Sequence, residues 1–258
     1  MWLTLFVPHI LSGQLLYSLA DAPTLGRGGA GIAATGLPAL WLNPAGIATG
    51  ERLGYGATVM QRYGLRELTT VGGGVVYRGF GLQVSTFGYG TYRASRFGVV
   101  YARSLSERWR VGAELSLLRQ LAIGYTAATR LLPAVGVQYA IHQKVVVGLT
   151  VKDPTGSAGQ GARLGAGLAY RLGDHLRLLA DAEAHWRSRL LFRFGVGYSP
   201  VPAVRLQLGY ASDPGTISVG ATFRLAGDVL IAVAGTQHQQ LGHVAGAGLY
   251  RPADSDEW

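Results

Sequence analysis

The chain has 258 residues, 48% of them apolar and only 14% charged, against about 25% charged in an ordinary soluble domain, which excludes a typical water-facing surface. Its 23 Lys plus Arg outnumber 14 Asp plus Glu for a formal net charge of +9, nearly all of it arginine because Lys144 and Lys152 are the only lysines, so an anionic partner is open at this level. The absence of cysteine excludes disulfides, thiolate metal sites and a lipid-modified N-terminal Cys, and the 39 glycines follow no three-residue period, which excludes a collagen-like chain.

Residues 1–20, "MWLTLFVPHILSGQLLYSLA", carry an apolar run of signal-peptide length with small residues near Ser18 and Ala20, although no Lys or Arg opens it. Pro8 and Gly13 argue against a spanning helix, so an export signal is expected here. Residues 21–50, "DAPTLGRGGAGIAATGLPALWLNPAGIATG", are rich in glycine and interrupted by Pro38 and Pro44. Gly26, Gly28 and Gly31 match the spacing of a dinucleotide-binding loop, but no strand precedes them and no βαβ unit follows, so that reading is rejected. Asn43 before Pro44 suits a tight turn and discourages helix at that point.

From Leu53 onward the chain becomes a series of segments about ten residues long that alternate apolar with polar or small residues, the period of a strand with one greasy and one wet face. In "RVGAELSLLRQ" Val111, Ala113, Leu115 and Leu117 share one face, and Arg110, Gly112, Glu114, Ser116 and Gln120 share the other. Strands are expected at 53–62, 67–77, 80–89, 96–104, 109–120, 130–141, 144–152, 162–172, 175–186, 189–199, 203–211, 216–225, 228–238 and 242–251, fourteen in all. The turns after even-numbered strands are short, as periplasmic turns are, and the longer connections "LAIGYTAAT" and "DPTGSAGQGA" fall on the other side. Segment length, alternation, even count and loop asymmetry together give an all-β fold, a transmembrane antiparallel β-barrel whose backbone groups are all paired. Lipid of the bacterial outer membrane is then the solvent of the outer face, the arginines turn inward, and no nucleic-acid partner is expected.

With the barrel in view, Gly26, Gly28, Gly29, Ala30 and Ala33, followed by Trp41 and Asn43-Pro44-Ala45-Gly46, resemble the N-terminal region of the FadL superfamily of outer-membrane barrels, which includes the PorV/PorQ-type proteins linked to type IX secretion in Bacteroidota. The resemblance implies fourteen strands and an N-terminal segment folded inward. It divides the chain into a signal peptide at 1–20, a plug at 21–50, a barrel at 51–251 and a polar tail at 252–258. A backbone threaded into a narrow lumen needs glycines for close approach, which suits the plug motif Gly26, Gly28, Gly29, Trp41, Asn43, Pro44 and Gly46. The chain is shorter than typical fatty-acid transporters of that superfamily and has little room for large outer loops.

The interior is expected to hold a charge network. Facing strands place Asp181 across from Arg193, and a two-residue turn at Gly173-Asp174 places Arg163 across from Glu183, with Arg171, Arg177, Arg205 and Arg224 on the same interior. His175 and His185 share a face with Asp181 and Glu183, but a lumen charge network explains them better than a metal site. No G-x-S-x-G or P-loop is present, so neither an enzyme nor a cofactor is expected. Short loops favour a PorV/PorQ-like scaffold, shuttle or anchor with secretion-machinery or cargo partners. The alternatives are a FadL-like passive carrier of hydrophobic small molecules, which needs an apolar pocket between plug and barrel, and a small anion-selective pore.

Overall fold

A computed structural model describes residues 21–49, 52–156, 161–185, 190–239 and 241–253. The expected signal segment, residues 186–189 and the end of the polar tail lie outside the described residues. The sheet comprises β1 (Gly54–Arg62), β2 (Leu65–Tyr77), β3 (Phe80–Tyr89), β4 (Tyr92–Ser104), β5 (Trp109–Ala122), β6 (Ala128–His142), β7 (Val145–Lys152), β8 (Arg163–Leu172), β9 (Leu176–His185), β10 (Leu191–Val201), β11 (Val204–Ser212), β12 (Gly215–Arg224), β13 (Leu230–His238) and β14 (Gly242–Arg251). Every strand pairs antiparallel with its neighbours in sequence, and β1 pairs with β14 to close a fourteen-strand barrel. Closure removes the open edges that hydrocarbon cannot hydrogen-bond.

Alternation sets the faces. On β5, Leu115 and Leu117 point outward and are exposed while Glu114 and Ser116 are buried inside. The same rule leaves Leu82, Val84, Phe97, Val99, Leu149 and Val219 on the outside, an apolar belt far more continuous than water-soluble proteins display. Aromatic pairs Phe80–Tyr101 and Trp109–Tyr139, with ring centroids 4.9 and 4.6 Å apart, border it near one end, where amphipathic rings suit the membrane interface. No helix among the described residues is long and apolar enough to cross a membrane. The crossing is made by strands.

Strand positions follow the alternation closely, but the hairpin β4–β5 runs further than expected. β4 begins at Tyr92 rather than 96, and Tyr92 pairs with Ala122, which shortens the connection expected over 121–129 to 123–127. Beyond the lipid belt nothing enforces alternating polarity, so backbone pairing continues where the sequence pattern fades. The two barrel ends differ in their connections: the turn end, where β1 starts and β14 finishes, carries turns such as 143–144 and 202–203, and the loop end carries the longer 153–162 connection. Past β14, Ala253 is buried and its carbonyl accepts the backbone N–H of Arg52.

Candidate functional site in the barrel interior

Residues 21–49 run across the lumen as α1 (Ala22–Gly26), α2 (Ala39–Leu42) and a 3-10 helix over Pro44–Thr49. Asp21 caps α1 by accepting the Thr24 N–H at 2.7 Å, and Pro23 occupies the first turn, where a missing donor costs nothing. The Ala22 N–H donates to the Tyr250 hydroxyl at 2.9 Å, which ties the start of the segment to β14. Asn43 ends α2 in an extended conformation, as a residue before proline favours. Its amide donates to the Ile32 carbonyl at 2.8 Å and its Oδ1 accepts from Ala45 N–H, so one side chain holds the fold-back together. Leu37, Leu40, Trp41 and Ile47 form an apolar core with Val76, Val100, Leu230 and Tyr250 of the wall.

The wall meets this segment through glycines. A methyl group at Gly112 would strike the Pro44–Ala45 peptide at 2.5 Å, and one at Gly148 would strike the Ile32 carbonyl at 2.6 Å. At Gly209 it would overlap the Arg27–Gly28 peptide, and at Gly136 the Asn43 side chain. Within the motif, Gly28 has φ +66 and lies against the Tyr210 backbone, and Gly29 has φ +83 beside Arg193, a conformation that disfavours a Cβ at close approach. Gly26 sits against Gly220, and Gly46 against the Ala34 carbonyl and Ala39.

Asp181 makes the most direct polar clamp. It is 3% exposed on β9 and its Oδ2 accepts the backbone N–H groups of Gly31 at 2.7 Å and Ile32 at 3.0 Å. The opposite residue on β8 is Gly167, where a methyl would meet Asp181 Oδ1 at 2.5 Å. Glycine there makes room for both carboxylate and segment. Gln138 adds a second clamp, its Nε2 donating to the Ala34 carbonyl at 2.8 Å, and Lys152 Nζ donates to the Trp41 carbonyl at 2.9 Å.

The charge network differs from the expected one in register and in partners. Asp181 does pair across the strands with Arg193, but the Arg193 guanidinium donates to Glu183 at 3.0 Å, while Asp181 turns to the segment's amides. Arg163 does not face Glu183: the β8–β9 connection holds three residues, 173–175, so Arg163 pairs with His185 and Glu183 pairs with Gly165. The pairing is displaced by two residues from the expected one, and Arg163 reaches Glu183 through its field rather than by cross-strand pairing. Glu183 also contacts His185 Nε2 at 2.7 Å. His175 is at the turn end with Nδ1 2.9 Å from the Ser199 carbonyl, so the two histidines share no site, and among the described residues no group of metal-ligating side chains forms. Arg171, Arg177, Arg205 and Arg224 gather at the turn end, away from both acids, where Arg205 lies in the fields of Arg177, Arg224 and Arg27.

A second network was not anticipated. Glu114 on β5, its side chain 1% exposed, is held by Arg96, Gln83 and Ser116. Its inward register was legible from the alternation of β5, but Arg96 reaches it only because β4 and β5 are neighbours. Above it, toward the loop end, Phe87, Ala94 and Leu118 pack inward with Leu68, Tyr92 and Leu132, an apolar cluster that breaks the polar pattern of the inner face.

Between the segment and the turn-end wall lies a cavity of about 50 Å³, walled by Pro23, Leu37, Pro38, Leu230, Tyr250 and Pro252, with Asp21, Arg27 and Arg205 among its polar edges.

No protein-family model matches the chain, and no curated protein matches it in sequence. Its fold does match solved structures. The Ralstonia pickettii toluene transporter TbuX superposes with a TM-score of 0.70 at 13% identity, over 91% of this chain and 98% of that one. The CymD monoaromatic hydrocarbon channel gives 0.68 at 15%, over 92% and 98%. A Pseudomonas aeruginosa FadL homologue gives 0.63 at 11%, over 91% and 98%. At such identities the likeness is one of fold alone: the chain shares the barrel fold of these proteins, and none of them singles out the PorV/PorQ branch.

Proposed function

We propose that the protein is a passive carrier of small hydrophobic molecules in the bacterial outer membrane, with residues 21–49 as the plug of its lumen. The observation that carries this reading is the apolar-walled cavity between Leu37–Pro38 of the plug and Leu230 and Tyr250 of the wall. It is the pocket a carrier needs and a scaffold does not. The fold shared with a toluene transporter and a monoaromatic hydrocarbon channel supports the same substrate class. At about 50 Å³ the cavity is smaller than the roughly 150 Å³ that holds a benzene ring, so passage requires the plug to shift against the wall. The scaffold, shuttle or anchor role with secretion or cargo partners asks only for a barrel with a rim, and no contact inside this one favours it.

Uptake of a fluorescent naphthylamine that intact lipopolysaccharide excludes tests the proposal in Gram-negative cells producing the protein. Wild type raises the initial uptake rate above that of cells carrying a vector, and Leu230→Trp, which fills the cavity from the wall, returns it toward the vector level while the barrel keeps its heat-modifiable gel migration. Equal uptake by vector, wild type and Leu230→Trp would remove the carrier reading and return the scaffold role to first place.

A further inference from the structure

The turn end holds a second, larger cavity of about 200 Å³, distinct from the one beside Leu37. It is lined by Arg171, Arg177, Arg205, Asp174, His175 and Ser199. Three guanidinium groups therefore face one carboxylate across the space. The register sets two of them side by side, since Arg171 on β8 is directly opposite Arg177 on β9, an arrangement that like charges make unfavourable. Arg205, on the other side, lies in the fields of Arg177, Arg224 and Arg27, so positive charge accumulates around the cavity from four strands and the plug.

The arginines are also oriented. Arg171 Nη2 donates to the Gln143 carbonyl at 3.1 Å, and Arg205 Nε donates to Ser199 Oγ at 3.1 Å. Such anchoring lowers the ordering cost of a second contact. On β10, Gly197 lines the same space, and a methyl there would touch only the Arg205 Cδ at 3.7 Å, so the room is real and is not reserved for the plug.

We propose that this cavity is a binding site for a phosphate-type oxyanion, held by Arg171, Arg177 and Arg205 at the turn end of the barrel. Guanidinium forks match the oxygens of a tetrahedral anion, and a multivalent anion relieves the repulsion that the register builds in. The same chemistry is offered by a free phosphate or pyrophosphate and by the phosphate of a lipid headgroup.

Thermal unfolding of the detergent-purified protein, titrated with pyrophosphate against chloride at fixed ionic strength, reads the first source. Phosphorus analysis of the purified protein by NMR reads the second. Binding of the free anion raises the melting temperature of wild type. A lipid source instead gives a stoichiometric co-purified phospholipid and no pyrophosphate response. Arg177→Gln with Arg205→Gln weakens either signal about tenfold or more, as expected for losing more than about 1.4 kcal/mol of contact. Gly197→Asp serves as the second variant, since it places a carboxylate in the cavity: it keeps or raises the melting temperature of the ligand-free barrel and abolishes the response. Absence of both signals in wild type, or signals of the same strength in all three proteins, overturns the site. Hydrocarbon uptake is not part of the readout, so the outcome is independent of the carrier reading.

Discussion

The two halves of the lumen are filled by opposite means. Where residues 21–49 cross the lumen, the wall is stripped to glycine at Gly112, Gly136, Gly148 and Gly209. Beside and beyond that segment the wall fills itself, with Glu114 held by Arg96 and Gln83, Glu183 held by Arg193 and His185, and Phe87 packed on Leu118. Strand β5 shows both solutions within five residues, Gly112 under the plug and Ser116 in the side-chain network. The lesson is that inner-face glycines mark where another piece of chain lies close against the wall, while polar side chains there either clamp that chain, as Asp181 and Gln138 do, or pair with one another, as Glu114 and Arg96 do.

The comparison predicts that changes in the side-chain networks lower barrel stability without releasing the plug, whereas changes at the contacts of residues 21–49 release it. Glu114→Ala should show the largest loss, because it leaves the Arg96 guanidinium, 17% exposed, without its buried partner, a change worth about 3–5 kcal/mol. Thermal unfolding in detergent should register it, and protease treatment of the same sample should leave residues 21–49 uncut. Clipping in that segment would mean that the two halves are coupled.

Gly209→Val comes next. The Arg27–Gly28 peptide cannot retreat as a flexible side chain could, so overpacking should cost about 3 kcal/mol and expose the segment to protease while heat-modifiable migration persists. A melting temperature equal to wild type with no clipping would show that the plug does not rest on this glycine.

Asp181→Ala removes the acceptor of two buried amides and should cost about 2 kcal/mol, again with faster clipping of residues 21–49. Asp181→Asn, which keeps an acceptor, should fall between this variant and wild type. If both variants clip no faster than wild type, the carboxylate serves the wall and not the plug. Smallest of all, Asp213→Ala in the exposed β11–β12 turn should stay within about 0.5 kcal/mol of wild type.

Much of this was written in the pattern of residues. The alternation of "RVGAELSLLRQ" set Glu114 and Ser116 inside and Leu115 and Leu117 outside, because a strand between lipid and lumen has no other way to place its faces. The Asp181–Arg193 pairing was legible as well. The role of Asp181 was not: its partners are 149 and 150 residues away in sequence, and backbone N–H groups carry no side-chain signature. Arg163 lies opposite His185 rather than Glu183 because the β8–β9 turn holds three residues, 173–175, and turn length, which sets the register, is poorly marked in "LGDHL".

By itself, then, the sequence determined the strand count, the faces and the presence of a glycine-rich segment before the barrel, since these rest on local periodicity and composition. Tertiary structure alone decided which wall glycines receive that segment, which acid clamps it, and where the arginines gather. Closing the barrel brings residues far apart in sequence across a lumen, and the geometry of that encounter depends on register and on the path of the inner chain, neither of which local pattern encodes.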